Sequence, residues 1–353
     1  MLPPAGFFLP DLWSHCPYPA IYHPNGDALI DESDEWMITG CVSSNRNAGL
    51  RRAMPQILAG KLAAFCYNNC SDERFRIVAD FNIWLFFMDD LSDEFKTDET
   101  ELFLDIVMNA MEDTTCYRPG ITNGEKHPQV EPDASLLARD WWARMSAGSG
   151  PDVQRRIIKG VKEYLVAVRG QAEDRRTGNI PELEKYIVHR RLSSGCRPLF
   201  DIIEFSLDFQ LPAEVVSHPL MVKMKDCVNE WVAFSNDIYS YKIEHARGDK
   251  HNMVAVMMER YKFTIQDAVD RVADHCIEAA KIYQECKANF PSFGAEVDSQ
   301  VEEYCHVLQS WMSGCLAWSF VTPRYLGPKR NEIRKTLWVD LIEGRGPRSI
   351  NAA

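Results

Sequence analysis

The sequence predicts an all-α fold, on three observations. Apolar residues recur at three- and four-residue spacing over long stretches, Val/Ile alternation at period two is almost absent, and no hairpin dipeptide separates strand-like runs. With 353 residues, 46% of them hydrophobic, the chain can bury a large core; its length permits two domains without requiring them. No internal repeat or low-complexity tract interrupts it. The expectation is roughly ten helices in one helical-bundle domain over residues 31–340. An irregular N-terminal strap at 1–30 precedes it, and a disordered tail at 341–353 follows.

The strap rests on Pro3, Pro4, Pro10, Pro17, Pro19 and Pro24, which punctuate any regular element. A first helix is expected from Asp31 to about Val42, with acidic residues in its opening turn as the helix dipole favours. A second, Ala53 to Cys70, is interrupted near Pro55 and Gly60. Asp72 to Asp93 is the strongest: Phe75, Val78, Ala79, Asn82, Phe86 and Asp89 follow the 3.6-residue period. Glu99 to Thr115 is another, before a Pro/Gly/His-rich loop over 116–133. Ala134 to Met145 and Asp152 to Arg176 follow, the latter with Ile157, Ile158, Val161, Leu165 and Val168 on one side and Gly178-Asn179 stopping it. Pro181 stands at a first helical position, and residues 181–209 are helical with breaks at Ser193–Gly195 and Pro198. Pro212 opens a long helix to about His245. Thr264 with Asp267 resembles a capping box for a helix to Ala288. Glu296 to Phe320 is the last long helix, ended by Pro323.

Charge narrows the partners. Thirty-nine Lys and Arg against 51 Asp and Glu give a net charge of −12, which disfavours nucleic acid and anionic membrane. An acidic chain acting on an anion would need cations as intermediaries. The 11 cysteines form no C-x-x-C pair, and Met1–Pro10 lacks the basic start of a secretory signal. Free thiols in a reducing cytoplasm are therefore expected. Uncharged apolar runs fall well short of the roughly 18 residues of a membrane span, so no membrane insertion is expected.

Two stretches carry chemistry. In Phe86-Phe87-Met88-Asp89-Asp90-Leu91-Ser92-Asp93-Glu94-Phe95, four carboxylates stand within six residues after an aromatic run. On a helix Asp89 and Asp93 share a face, as do Asp90 and Glu94, and like charges at that spacing repel unless cations sit between them. Hard cations such as Mg²⁺ prefer carboxylate oxygen and keep waters that a phosphate can replace. The motif fits D-D-x-x-D through Asp93 and D-D-x-x-x-E through Glu94, so either distal carboxylate can be the ligand. The alternative is a solvated acidic helix end. The second stretch is Asn236-Asp237-Ile238-Tyr239-Ser240-Tyr241-Lys242-Ile243-Glu244. Asn236, Ser240 and Glu244, at i, i+4 and i+8, line one helix face as an amide carbonyl, a hydroxyl and a carboxylate, three oxygen donors for one hard cation. Its flank Trp231–Phe234 is apolar, unlike that of an ordinary exposed polar stripe.

An aspartate-rich motif followed about 150 residues later by N-D-x-x-S-x-x-x-E resembles the class I terpene synthases. Tyr186-Ile187-Val188-His189-Arg190-Arg191-Leu192-Ser193-Ser194-Gly195 resembles their R-R-x-x-x-G stretch, and Trp318–Tyr325 their terminal W-x₅-R-Y element. Gly248-Asp249-Lys250-His251-Asn252-Met253-Val254 is similar to fungal sesquiterpene cyclases, particularly those of mushrooms. The resemblance implies an α-helical bundle around an apolar pocket with both motifs at its mouth, three Mg²⁺ ions, and an isoprenyl diphosphate substrate, farnesyl diphosphate first. The reaction implied is ionisation and cyclisation to a sesquiterpene with release of pyrophosphate, by a monomer or homodimer. Arg191 would sense the diphosphate, Gly195 would mark the helix break beside the substrate, and Arg324 and Tyr325 would grip the leaving group. The basic residue that often precedes the final Glu is displaced to Lys242, where Ile243 holds its usual place. Phe86, Phe87 and Trp318 are the candidate aromatic faces for the carbocation, each able to stabilise it by about 0.5–2 kcal/mol; ordinary core packing is the alternative for each. A chain-elongating prenyltransferase would carry a second aspartate-rich motif where Asn236, Ser240 and Glu244 stand. A protonation-driven cyclase would need D-x-D-D, which is absent. A catalytically silent helical binding protein would have no need of two intact motifs.

Overall fold

The computed structural model describes residues 6–40, 47–92, 97–117, 121–122, 125–126 and 130–341. Helices dominate, as the periodicity predicts. In chain order they are α1 (Gly26–Thr39), α2 (Ala48–Ala53), α3 (Ala59–Cys66), α4 (Asp72–Ser92), α5 (Thr97–Glu112), α6 (Asp133–Ala147), α7 (Pro151–Thr177), α8 (Leu183–Ser193), α9 (Cys196–Asp201), α10 (Ile203–Ser206), α11 (Ala213–Val216), α12 (Pro219–Arg247), α13 (Met253–Tyr261), α14 (Ile265–Ala288), α15 (Ala295–Val321), α16 (Pro323–Leu326) and α17 (Arg330–Thr336). Two small antiparallel pairs accompany them. β1 (Gly6–Phe8) pairs with β4 (Trp338–Asp340), Gly6 opposite Asp340, and β2 (Ile121–Thr122) pairs with β3 (Glu125–Lys126).

Where structure and expectation part, the reasons are local. The expected strap is not wholly irregular: it begins in β1, whose Phe7 is buried, and α1 opens at Gly26 rather than Asp31. Its inward face is Gly26, Ile30, Ser33 and Met37, and two of those four residue types do not read as apolar signals. The helix expected over 53–70 breaks at Leu58, in the left-handed region at φ 61°. Gly60 lies inside α3 and serves close approach: a Cβ there would stand 2.7 Å from Ile30. Pro212 opens only the single turn α11. The long helix begins at Pro219, where His218 Nδ1 accepts from the Leu220 amide at 3.2 Å. Nor does Pro181 open α8, whose first residue is Leu183. The Thr264 cap holds as expected, its Oγ accepting from the Asp267 amide at 3.2 Å.

The contacts group the chain into two units. In the unit comprising Tyr22–Glu173 and Arg197–Gln210, α4 packs against α1, α3 and α6. Trp84 and Trp141 are fully buried there, ring centres 5.3 Å apart, and Trp84 Nε1 donates to the Ala134 carbonyl at 3.0 Å. Buried charges in this unit are paired: Arg51 with Asp133 at 3.2 Å, and Asp80 with Arg76 and, at 2.8 Å, Arg144. In the unit comprising Met1–Ile21, Asp174–Cys196 and Leu211–Ser349, α12 packs chiefly on α14 and also on α8, α13, α15 and α16. Trp231 Nε1 donates to the Met312 carbonyl at 2.9 Å across that core. The ten described cysteines are all free thiols. Among the described residues no helix is long and apolar enough to cross a membrane.

Candidate active site

Asp89 and Asp90 occupy the last turn of α4, both half-buried. That turn contains no basic residue, so two carboxylates face the negative end of the helix dipole, which disfavours them there. The Ser92 hydroxyl donates to the Asp89 carbonyl at 2.8 Å and finishes the helix. Phe86 is half-buried, whereas Phe87 is fully buried. Asn82, one turn below, donates to the Ala59 carbonyl at 2.7 Å and fixes α4 on α3. Asp93 and Glu94 lie outside the described residues.

The second stretch sits in the C-terminal half of α12. Asn236, Ser240 and Glu244 are all helical, so they do share one face. The Asn236 amide is held on both sides: Oδ1 accepts from Arg190 Nη2 at 2.8 Å, and Nδ2 donates to Tyr325 Oη at 2.7 Å. Tyr325 is in turn set edge-on against Trp318, ring centres 5.5 Å apart at 88°. Arg190 also reaches the buried Asp237, Nε to Oδ1 at 3.0 Å and Nη2 to Oδ1 at 2.9 Å. Asp237 Oδ2 accepts from Tyr186 Oη at 2.6 Å and from the Met253 amide, at the start of α13, at 3.0 Å. Burial pushes the Asp237 carboxyl up, against the pull of Arg190, Tyr186 and the Met253 amide. For Arg190, burial works against the charge, but Asp237, Tyr186 and Glu244 together raise its pKa further. Tyr186 is raised well above 10, by burial first and then by Asp237, and stays protonated as a donor.

Glu244 lies in the last turns of α12, again against the dipole. Asn252 Nδ2 donates to its Oε2 at 2.8 Å. Burial, then Asp237, push this carboxyl up to about 7, while Asn252, Ser240 and Arg190 pull it down. The Ser240 hydroxyl, between Asn236 and Glu244, is buried; it lies near enough to favour the ionised Glu244 but makes no well-formed hydrogen bond. A buried oxygen of that kind costs stability and fits a site that takes a hard cation. The donor set is an amide oxygen, a hydroxyl and one carboxylate, suited to Mg²⁺ rather than to a softer metal. Among the described residues no cluster of three or more His, Cys, Asp or Glu side chains that could hold a metal ion is present.

The arginine doublet is divided. Arg191, expected to sense the diphosphate, pairs with Glu230, its Nε 2.7 Å from Oε1, and approaches Asp226 at 4.0 Å. Arg190, its neighbour, is the one in contact with Asn236. The doublet alone could not separate them; their partners on α12 do. Gly195 breaks the chain between α8 and α9 at φ 74°, as expected of it. Arg324 is half-buried at the start of α16, its amide donating to Thr322 Oγ1 at 3.1 Å. Lys242 is half-buried on α12. Sequence reasoning missed Tyr186, Arg190, Asp237 and Asn252. Only Asn252 carried a readable signal, an N-cap residue before the apolar run Met253–Met257.

The family described as terpene synthase family 2, C-terminal metal binding, matches residues 80–281. A sesquiterpene synthase of Cyclocybe aegerita is 42% identical over 340 residues, covering 96% of this chain and 94% of the relative. An alpha-muurolene synthase of Coprinopsis cinerea is 41% identical over 339 residues, 96% of this chain and 78% of the relative. Among solved structures, an a-eudesmol synthase superimposes with a TM-score of 0.73 at 20% identity, over 87% of this chain and 98% of the other. A germacradien-4-ol synthase from Streptomyces citricolor gives 0.71 at 20%, over 86% and 96%.

Proposed function

Since the chain belongs to the terpene synthase family, we propose that it ionises farnesyl diphosphate in a metal-dependent step and cyclises the allylic cation to a sesquiterpene, releasing pyrophosphate. The observation that carries this reading is the oxygen ladder Asn236–Ser240–Glu244, with its buried Ser240 hydroxyl, fixed by Arg190, Tyr325 and Asn252. Relatives aligned over most of their length and named as sesquiterpene synthases support the C15 substrate. The reading takes 31–340 as one synthase domain, at work in the cytoplasm as a monomer or homodimer.

Asn236, Ser240 and Glu244 would hold one Mg²⁺, and Asp89 and Asp90, with Asp93 or Glu94, the others of about three ions. When bound, the ions supply positive charge to a leaving diphosphate, which is otherwise a poor leaving group. The chain's own part is binding and shielding. Arg324 and Tyr325 offer donors to phosphate oxygen, the guanidinium in a forked geometry; Lys242 adds a charge on the ladder helix. Of the doublet, Arg190 touches the ladder and Arg191 stands on Glu230, so both are assigned to the diphosphate end, with Arg190 the nearer contact. Once the diphosphate leaves, no nucleophile may meet the cation. Phe86 and Trp318 offer ring faces that stabilise positive charge without capturing it, and Gly195 frees backbone at the α8–α9 break. A chain-elongating reaction gains no support, because the ladder stands where a second aspartate-rich motif would be.

The test is direct: purified protein with Mg²⁺ and farnesyl diphosphate, assayed for pyrophosphate and, by gas chromatography, for cyclic hydrocarbon. Release that requires Mg²⁺ and no second substrate is expected. No release from C10, C15 or C20 diphosphates would sink the reading and leave a silent helical binding protein.

A further inference from the structure

Glu244 carries the ladder's only charge and is its least secure member. Its side chain has three rotatable bonds, whose ordering costs on the order of 1–2 kcal/mol, and it sits where the helix dipole repels it. Yet it is already fixed, and the fixing group is not on α12. After α12 the chain reverses at Gly248, at φ 76°, whose amide bonds back to the Glu244 and His245 carbonyls. A Cβ at Gly248 would meet nothing, so the glycine serves the backbone conformation. The reversal returns Asn252, fully buried, to α12.

Asn252 satisfies every atom of its amide. Oδ1 accepts from the Val254 amide at 2.8 Å and caps α13. Nδ2 donates to the Asp237 carbonyl at 2.7 Å and to Glu244 Oε2 at 2.8 Å. The same amide therefore starts one helix and orients the proposed ion ligand on another. Asp237 reinforces the join by accepting the Met253 amide.

From this geometry we infer that Asn252 is a positioning residue for the ladder: it presets the Glu244 carboxylate for the ion and couples ion binding to the first turn of α13. The inference rests on the reading that Asn236, Ser240 and Glu244 bind the cation. Groups that orient a metal ligand from behind change metal affinity by about 10–100-fold when removed.

Capping and positioning separate by substitution. Asn252→Ser keeps a capping oxygen but loses the amide donor, whereas Asn252→Ala loses both. Mn²⁺ titration by electron paramagnetic resonance, with inorganic pyrophosphate present, reads ion affinity; thermal melting reads the cap. Asn252→Ser is expected to melt above Asn252→Ala, yet to bind Mn²⁺ about 10–100-fold more weakly than the unaltered chain. Mn²⁺ affinity restored by Ser together with the cap would overturn the inference. Glu244→Gln is the control. If it too binds Mn²⁺ as the unaltered chain does, the ladder reading itself fails, and this inference with it. Should Asn252→Ser not fold, hydrogen exchange on the unaltered chain decides: Mn²⁺ with pyrophosphate is expected to slow exchange over residues 253–257, and Glu244→Gln to abolish that slowing. Exchange indifferent to the ion would overturn the coupling.

Discussion

The acidic end of α4 and the ladder of α12 are built on opposite plans. On α4, carboxylates are placed where the dipole opposes them, in a turn without a basic residue. On α12, charge is kept to one carboxylate, and two of the three donors are neutral. Asn236 and Glu244 are each held by a named partner before any ion arrives. Repulsion along the helix and the dipole oppose the first plan; a finished hydrogen-bond frame supports the second.

The largest expected effect comes from the charges themselves. Asp89→Ala should lower kcat/KM by more than about 10²-fold, and Glu244→Ala by a similar factor, since each removes a carboxylate from bound ions; full activity in either would remove that residue from the metal set. Next is the frame. Asp237→Ala leaves Arg190 buried without its carboxylate, and breaking such a pair costs about 3–5 kcal/mol. Urea unfolding should show it, and a loss below about 1 kcal/mol would mean that the frame is not what rigidifies α12.

A pH effect sharpens the contrast. In metal-free protein the Glu244 carboxyl is raised to about 7, above its value in the unfolded chain. Its contribution to stability is then fully present below the unfolded value and is lost as pH rises through about 7. Melting of the unaltered chain without metal should fall relative to Glu244→Gln between pH 5 and 8; parallel curves would show that burial and Asp237 do not raise the group. The doublet gives a smaller effect: Arg191→Lys should cost at most about 1 kcal/mol of stability through its partly exposed pair, and Arg190→Lys clearly more. Smallest is the comparison of Asp93→Ala with Glu94→Ala by steady-state kinetics. One strong loss identifies the distal ligand, and equal, mild losses would mean that neither is one.

How much of this was legible in the sequence depended on how local the cause was. α4, α14 and α15 are long and periodic, so their limits fell within a few residues of expectation. α1 was misplaced because Gly26 and Ser33 belong to its buried face. The β1–β4 pair joins two three-residue stretches from opposite ends of the chain, and neither has a period to detect. At the candidate site, the residues proposed as ligands were legible because a fixed helical spacing announces them. Asp237 looked like one more acid in the motif, and Arg190 like the twin of Arg191. What distinguishes them is burial and partner choice, properties of packing rather than of the string.

The β1–β4 pair reaches further than its size. Phe7 of β1 lies edge-on to Tyr241, ring centres 5.9 Å apart, and Tyr241 follows Ser240 on the ladder helix. The Leu9 amide bonds to the Leu337 carbonyl at 2.7 Å. During synthesis β1 is made more than 300 residues before its partner strand. The brace behind Tyr241 therefore closes only after Trp338–Asp340 has been made, long after the ladder helix itself.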